Sequence, residues 1–231
     1  MVRLAAAGIR VVLVVATQGE RGEAAGLVSG PALGRMRAVE TQRAAAELGI
    51  ARVAFLGYGD SGLVAGPPPR GSFAATPVAE AAGRLSGILR EERPDALVVY
   101  DDHGTYGHPD HVAVHSVGWA AATLSELPTV YEATVDREYL HFVETHVVEE
   151  AGRAAAHAMG GADVGLPTVE IDLTIDVRGV IAAKRAAIAA HGTQLPAGSA
   201  VMQLDDATFA EVYGWEWYCR CGAAGPLDGL G

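Results

Sequence analysis

Apolar residues recur along the chain in short continuous runs, each followed by a longer segment with helical spacing. Residues 8–15 form a run rich in Val and interrupted only by Arg10, which is typical of a strand buried on both faces of a sheet. Residues 33–48 and 77–91 repeat Ala and larger apolar residues at a period near 3.6 and therefore predict helices. The other predicted elements are helices at 2–7, 112–124 and 177–191, and strands at 53–56, 96–100, 129–133, 169–173 and 209–219.

Strands and helices alternate along the whole chain. This alternation predicts an α/β fold of the Rossmann-like, doubly wound type, with a mostly parallel sheet and helices on both faces. We see no internal repeat and no linker long enough to separate two domains, so we expect one domain over residues 1–231. Residues 146–165 are rich in Ala and Gly, and there we expect only a helix and a loop.

Composition and charge narrow the classes of partner. The chain has 17 basic and 28 acidic residues, a formal net charge of −11, which disfavours nucleic acid and anionic membranes. No apolar run reaches the roughly 18 residues that a membrane-spanning helix needs, and no signal peptide is visible. Cys219 and Cys221 have no second Cys or His pair nearby, so they indicate free thiols rather than half a metal site. We therefore expect a cytoplasmic protein with a small-molecule ligand; a homo-oligomer stays open.

Three imidazoles and three carboxylates lie within residues 100–111, directly after the strand predicted at 96–100. Open α/β sheets place their ligand sites at the carboxyl ends of strands. His108 and His111 are about one turn apart if Pro109 occupies the first turn of a helix, a position that Pro favours. Asp110 lies between them and can orient one imidazole by a hydrogen bond. This set suits a divalent metal together with a general acid.

A purely structural interpretation of these residues is also open, because Pro and Asp are common at helix starts. A single His in such a loop is more often structural than a ligand. We favour a functional role for the cluster as a whole, since titratable groups gather at sites. A nucleotide-binding oxidoreductase is disfavoured, because the glycines of residues 19–23 lack the dinucleotide spacing and two carboxylates there would repel phosphate.

Several short motifs together resemble the LmbE-like deacetylase superfamily. This superfamily includes the PIG-L N-acetylglucosaminyl-phosphatidylinositol de-N-acetylases, the mycothiol-pathway deacetylase and the mycothiol-conjugate amidase. The resemblance covers nearly the whole chain, and its most specific motif is the His-Pro-Asp-His sequence at 108–111. The other motifs are Gly19 through Glu23, Arg37-x-x-Glu40, Leu56-Gly57 through Asp60-Ser61-Gly62, Tyr100-Asp101, and Lys184-Arg185 through His191-x-x-Gln194.

The resemblance implies hydrolysis of an N-acyl group, commonly acetyl on a glucosamine ring, with one zinc ion as cofactor. It implies that His111 is a zinc ligand. It also implies that His108 faces the oxyanion as a cation oriented by Asp110, and that Tyr106 faces the same oxyanion. By the same match, the residues that line the sugar pocket are Glu23, Arg37 and Asp60.

The chain departs from the family in one large respect, because it contains no His-Pro-Asp-Asp-Glu sequence. In the family that motif ends the first, central strand and supplies two of the three zinc ligands and the general base. We therefore expect an open position in the sheet beside residues 11–15. We also expect the chain that starts at Met1 to be inactive and poorly folded, or to bind metal only weakly.

Two hypotheses account for this departure. In the first, the protein is a zinc amidohydrolase and Met1 is internal, with translation starting on the order of 25 residues upstream, the length of a strand and a helix. In the second, the chain is a shortened, non-catalytic relative that binds a sugar or a partner chain. We favour the first, because loss of a central strand exposes strand edges and costs more than the stability of a typical domain.

Overall fold

The computed structural model describes residues 1–22, 24, 28–63, 66–143, 145, 164–195 and 198–231. Its helices are α1 (Val2–Ala6), α2 (Gly30–Glu47), α3 (Val78–Glu92), α4 (Gly104–Gly107), α5 (Pro109–Leu124), α6 (Arg137–Phe142), α7 (Ile181–Ala189), α8 (Ala200–Gln203) and α9 (Asp206–Tyr213). Its strands are β1 (Val12–Thr17), β2 (Arg52–Tyr58), β3 (Leu97–Tyr100), β4 (Thr129–Thr134), β5 (Leu173–Asp176) and β6 (Trp215–Gly222). Short 3-10 turns lie at Phe73–Ala75, Thr168–Glu170, Arg178–Val180 and Asp228–Leu230.

The strands of the described residues form two sheets. In the first, β1 and β2 are parallel. The second has the order β3-β4-β6-β5, in which β3 and β4 are parallel and β6 is antiparallel to both of its neighbours. The predicted α/β class is thus confirmed. The sequence predicts a mostly parallel sheet, and the antiparallel β6 departs from it. The chain enters β6 from α9 without crossing to the opposite end of the sheet, and a parallel strand requires such a crossover.

Helices cover both faces of the strands. On one face, α3 and α5 contribute to a buried apolar cluster that also contacts Val14 of β1 and Leu97 of β3. On the opposite face of the second sheet, Tyr131 of β4 and Ile175 of β5 are buried, and Leu4 of α1 packs against them. Full burial of a large apolar side chain contributes about 1.5–3 kcal/mol. These two layers fix the strand ends that carry the candidate site.

One edge of β1 and one edge of β3 are unpaired within the described part of the chain. β1 is hydrogen bonded to β2 alone and β3 to β4 alone, although Val14 and Leu97 reach the same helix layer. Every residue of β1 is only half-buried, and Val98 of β3 is 47% exposed. Central strands of doubly wound sheets are normally buried on both faces. This arrangement agrees with the open position expected beside residues 11–15.

The strand predicted at 169–173 is wrong. Pro167 leads into a single 3-10 turn at 168–170, and Val169 at its centre is 92% exposed, so the alternation of apolar and polar residues there faces no core. The strand β5 begins only at Leu173 and continues to Asp176, directly before the helix predicted at 177–191. The helix itself, α7, starts after a further 3-10 turn.

The closing strand predicted at 209–219 is wrong in its first half. Asp205 accepts a hydrogen bond from the N–H of Thr208 and so caps helix α9, in which Phe209 is buried. The alternating Trp215 and Trp217 do belong to a strand, β6. Asp205 followed by a short apolar segment is a sequence signal for a helix. Trp215 and Trp217 lie two and four residues after the end of α9, and their strand-like spacing favours a strand over the whole of 209–219.

The remaining predicted helices and strands are present with shifted ends; the helix expected from 112 begins at Pro109. Most of the segment at 146–165 lies outside the described residues, so its prediction stays untested. Cys219 and Cys221 are free thiols, as predicted. Among the described residues, no helix combines the length and the apolar character needed to cross a bilayer.

Ion pairs join the starts of β1 and β2 to the end of α3. Glu92 accepts hydrogen bonds from Arg10 Nε over 2.9 Å and from Arg52 over 2.7 Å. These two guanidinium groups lower the pKa of Glu92 to about 2, from an ordinary value of 4.5. A carboxylate whose pKa is lower in the folded state stabilises the fold above its unfolded-state pKa, and this stabilisation is lost on acidification.

We expect Glu92→Gln to lower the free energy of unfolding near pH 7 and to change it much less near pH 2. The difference should disappear between about pH 4.5 and about pH 2, where Glu92 becomes protonated in the unfolded state first and in the folded state last. Urea titrations across this range measure the effect, with exposed Asp95→Asn as the control. An effect of the same size at both ends of the range would contradict the assignment.

Candidate functional site

The carboxyl ends of β1, β2 and β3 meet at one edge of the molecule. Glu20, just after β1, accepts a hydrogen bond from the N–H of Asp60, just after β2, over 2.7 Å. Asp110, in the helix that follows β3, accepts one from the N–H of Ser61 over 2.9 Å. The residues that follow three strands are therefore in direct contact, at the edge where α/β sheets usually bind ligands.

Helix α5 begins at Pro109, with His108 as its N-cap. His108 Nδ1 accepts a hydrogen bond from the N–H of Asp110 over 3.2 Å, and Pro109 has no N–H to leave unsatisfied in the first turn. This start places the rings of His108 and His111 with their centroids 5.1 Å apart. Because Nδ1 is an acceptor here, the proton of a neutral His108 lies on Nε2.

The carboxylate of Asp110 contacts two neighbouring loops. Oδ2 accepts from the N–H of Ser61 over 2.9 Å, and Oδ1 accepts from the N–H of Ala74 over 3.1 Å. Asp110 is buried, and without it these two backbone donors would lose their partner. The hydrogen bond between His108 and Asp110 in this structure is made by the backbone N–H of Asp110, and the orientation of a cationic His108 by the carboxylate stays a prediction.

Asp60 and Asp110 form a buried pair of interacting carboxyl groups. Burial by itself would raise the pKa of Asp60, but the N–H groups of Gly62 and Arg21 outweigh it and hold that pKa below its ordinary value. Burial raises the pKa of Asp110, and the neighbouring Asp60 raises it further. Of the two groups, Asp110 is therefore the one that takes up a proton first as the pH falls.

His111 is a half-buried, neutral imidazole. Its ring stacks on Tyr100 with centroids 4.2 Å apart, and its Nδ1 lies 3.3 Å from the carbonyl oxygen of Gly104. Burial, and next the neighbouring His108, lowers the pKa of His111 to about 4. A carbonyl can only accept, so Nδ1 carries the proton and the lone pair of Nε2 is left for a ligand. Histidines that bind metals commonly donate their other N–H in this way.

Tyr106 lies beside both imidazoles. Its ring is edge-on to His111, with centroids 5.0 Å apart, and to His108, with centroids 6.2 Å apart. Burial, and next the charge of Asp60, raises the pKa of the Tyr106 hydroxyl, so this group stays a hydrogen-bond donor at neutral pH. The structure thus brings together three of the residues predicted from the sequence as site residues.

Arg37 and Asp60, predicted to line a sugar pocket, both contact the loop after β1. Arg37 donates to the carbonyl oxygen of Gly19 over 2.6 Å, and Asp60 accepts from the N–H of Arg21 over 2.9 Å. Both side chains are buried. Glu23, the third predicted pocket residue, lies outside the described residues.

Two residues with a part in this arrangement were not predicted. Glu20 fixes the backbone of Asp60, as described above. Thr193, after α7, accepts from Arg37 Nε over 3.4 Å and donates its N–H and hydroxyl to Glu40 over 2.8 and 2.7 Å. Both contacts join segments far apart in the chain, so no local sequence pattern could have identified them.

Two sets of donor atoms among the described residues are close enough together to hold a cation. One set comprises Asp60, His108 and Asp110, and the other comprises Asp101, Asp102 and His103, with the donor atoms of each set within 4.8 Å of one another. In the second set, Asp102 and His103 are exposed and pair with each other. No set of three donors within the described ranges includes His111.

Comparison with known proteins agrees with the resemblance. The profile of the PIG-L family, described as GlcNAc-PI de-N-acetylase, matches residues 1–122. A 1D-myo-inositol 2-acetamido-2-deoxy-alpha-D-glucopyranoside deacetylase from Thermobispora bispora is 33% identical over 251 residues, covering 97% of this chain and 83% of the relative. The protein of the same name from Streptomyces griseus is 38% identical over 227 residues, covering 84% of this chain and 69% of the relative.

Solved structures share the fold at lower identity. The N,N'-diacetylchitobiose deacetylase from Pyrococcus horikoshii superposes with a TM-score of 0.58 and 21% identity, over 95% of this chain and 76% of that protein. A deacetylase of teicoplanin biosynthesis gives a TM-score of 0.61 at 14% identity, over 96% and 91%. Since the family profile matches more than half of the chain and the relatives exceed 30% identity over most of it, the chain belongs to the PIG-L, or LmbE-like, family.

Proposed function

We propose that this protein catalyses the zinc-dependent hydrolysis of an N-acyl group, in particular N-acetyl, on a glucosamine-type glycoconjugate. The observation that carries the proposal is the gathering of Tyr106, His108 and His111 at the carboxyl end of β3, beside the buried Asp60 and Asp110. The relatives named as deacetylases of an acetamido sugar linked to inositol support a sugar substrate.

His108 and Tyr106 are suited to stabilise the oxyanion that forms on the carbonyl under attack. His108 offers Nε2–H, because its Nδ1 is held by the N–H of Asp110, and Tyr106 offers a hydroxyl that stays protonated. Donors that are fixed before the reaction need no reorganisation when the charge develops. Asp110 acts in this scheme by fixing the start of α5 against the loops that hold Ser61 and Ala74.

His111 fits the part of a zinc ligand. It is neutral at physiological pH, and the carbonyl of Gly104 fixes its Nδ1, which leaves the Nε2 lone pair free. A zinc ion, when bound, lowers the pKa of a coordinated water and polarises the substrate carbonyl. Hydrolytic zinc sites use three protein ligands. We assign only His111, because no further donors among the described residues complete such a set around it.

We propose that Arg37 and Asp60 form the sugar side of the pocket by fixing residues 19–22 of the loop after β1. Glu23 follows this segment directly and stays a predicted contact to a sugar hydroxyl. A carboxylate such as Asp60, which already accepts two backbone N–H groups, contributes mainly by holding the loop.

The proposal is tested by acetate release from a panel of amides, using protein expressed from its chromosomal locus. We expect hydrolysis of 2-acetamido-2-deoxy-glucopyranosyl inositol and related N-acetylglucosamine conjugates, loss of activity with a chelator, and recovery with added zinc. The panel includes N-acetylated amino acids of similar size as controls. Activity confined to those non-sugar amides, or unaffected by the chelator, would refute the assignment.

A non-catalytic sugar-binding role is the second candidate. One observation favours it, namely that the described residues give His111 no companion donors for a hydrolytic metal site. Calorimetry with the acetylated sugar separates the two candidates, because binding without acetate release in the presence of zinc would support this one.

We further propose a single domain and a cytoplasmic location. The free thiols of Cys219 and Cys221 support a reducing compartment, since secreted proteins of this size commonly oxidise such residues. The net charge of −11 supports a small-molecule partner rather than nucleic acid.

A further inference from the structure

The turn after β3 holds a β-branched residue in a strained backbone conformation. Thr105 has φ +67° and ψ −49°, in a region that residues with a Cβ rarely occupy. Only three residues other than Gly have a positive φ in the described part of the chain, and Thr105 is the one that adjoins the candidate site. Strain of this kind persists only where the surrounding contacts impose it, and it is common at functional sites.

Asp101 imposes this conformation from one side. Its side chain is only 1% exposed, and Oδ1 accepts a hydrogen bond from the N–H of Thr105 over 2.6 Å. Oδ2 accepts from the hydroxyl of Thr134 in β4 over 2.6 Å, and the N–H of Asp101 continues the ladder to Ala133. The carboxylate therefore has a fixed position on the sheet and holds Thr105 relative to it.

Gly165 holds the turn from the other side. Its N–H donates to the carbonyl oxygen of Thr105 over 3.0 Å. Gly165 itself has φ +64°, and a Cβ at this position would lie 2.0 Å from the carbonyl oxygen of Val135, so no other residue fits there. Both polar groups of the Thr105 backbone are thus bound to separate parts of the fold.

The strained turn places two groups of the candidate site. The carbonyl oxygen of Gly104 lies 3.3 Å from His111 Nδ1, and a Cβ at Gly104 would lie only 2.7 Å from the Cβ of His111. On the other side of Thr105, the ring of Tyr106 is edge-on to His111. A rotation at Thr105 would move the carbonyl and the ring away from His111 together.

We propose that Asp101 is a positioning residue for His111 and Tyr106, acting by holding Thr105 in its strained conformation. The effect of this positioning on catalysis rests on the proposed function, whereas the positioning of His111 and Tyr106 does not. The alternative is that Asp101 only stabilises the β3–β4 pairing. The two differ because a purely stabilising residue would leave the ring of Tyr106 and the proton of His111 in place whenever the protein is folded.

Four variants of the full chain test the proposal. Asp101→Ala removes the carboxylate, and Asp101→Asn is the conservative variant, since its amide can accept from Thr105 and donate to the Thr134 oxygen. Thr105→Gly removes the strain, because Gly adopts a positive φ freely. The double variant Asp101→Ala/Thr105→Gly stays informative if Asp101→Ala alone fails to fold.

Two measurements report on position without any assay of activity. They are the Tyr106–His111 ring contact seen by the nuclear Overhauser effect and the proton position on His111 seen by imidazole nitrogen shifts. We expect wild type, Asp101→Asn and Thr105→Gly to retain the ring contact and the proton on Nδ1. We expect Asp101→Ala to lose both signals and to have a lower Tm. We expect the double variant to regain both signals and part of that Tm, because Gly adopts the positive φ without a carboxylate to hold it.

Two results would overturn the proposal. In the first, a folded Asp101→Ala variant keeps the ring contact and the Nδ1 proton. In the second, Thr105→Gly recovers no Tm in the Asp101→Ala background, which would mean that Asp101 does not oppose strain at Thr105. If the wild type hydrolyses the sugar amide, kcat of Asp101→Ala should fall roughly 10-fold or more with little change in KM, and kcat of the double variant should fall less. An inactive wild type with the expected signals would refute the proposed function and leave this inference standing.

Discussion

We expect His111→Ala to lower both bound zinc and the rate of acetate release by about 100-fold or more. Residues that only orient a metal ligand typically account for about 10–100-fold in affinity or activity, so loss of the ligand itself should reach at least the upper end of that range. The effect follows from the Nε2 lone pair, which the contact of Nδ1 with Gly104 leaves free. Zinc per chain after dialysis and initial rates at fixed zinc measure it.

His115→Ala is the matched control. His115 lies one turn further along α5 and is also half-buried, and its Nδ1 is 3.1 Å from the carbonyl oxygen of Tyr100. The same nitrogen is also 3.4 Å from a carboxylate oxygen of Glu132, and His115 belongs to neither of the two sets of donor atoms that could hold a cation. We expect this variant to keep its zinc and its rate. Equal zinc content in both variants and the wild type would remove His111 from the site.

His108→Asn should lower kcat about 100–1,000-fold and leave stability almost unchanged. Loss of one preformed oxyanion donor typically costs this factor. Asn is among the best N-cap residues, so it can still accept from the N–H of Asp110 and keep the start of α5, but it lacks Nε2–H. Steady-state kinetics and a thermal melt on the same preparation measure both effects.

His108→Ala separates the two roles of this side chain. It should lose the same factor in kcat and, in addition, about 1 kcal/mol of stability, because the N-cap acceptor is gone. A His108→Asn variant with nearly wild-type kcat would mean that His108 only caps the helix.

The sequence could predict the site where the signals are local. The strand that ends at Tyr100 and the helix that begins at Pro109 follow from an apolar run and from the position of Pro. The convergence of His108 and His111 then depends only on helical spacing. The contacts of Asp110 could not be predicted, because its two backbone donors belong to loops 49 and 36 residues away in the chain.

The errors in the fold have a similar cause. The apolar residues before Trp215 fit either a short helix or a strand, and burial of Phe209 against the core decides for the helix. Around Val169 apolar and polar residues alternate, but no core lies beside them. Periodicity predicts which positions of a segment can face a core, and it does not predict whether a core is present. Local patterns therefore predicted the element types around the site better than those near the end of the chain.

The edges of β1 and β3 that have no partner strand among the described residues also bear on the colloidal behaviour of this protein. Both strands are built from uncharged residues, and an uncharged strand edge is a template for adding a strand from another molecule. Repulsion from the net charge of −11 keeps molecules apart, but at physiological salt it is screened beyond about 8 Å. We therefore expect added salt to favour edge-to-edge association of molecules, and low ionic strength to keep concentrated solutions monodisperse.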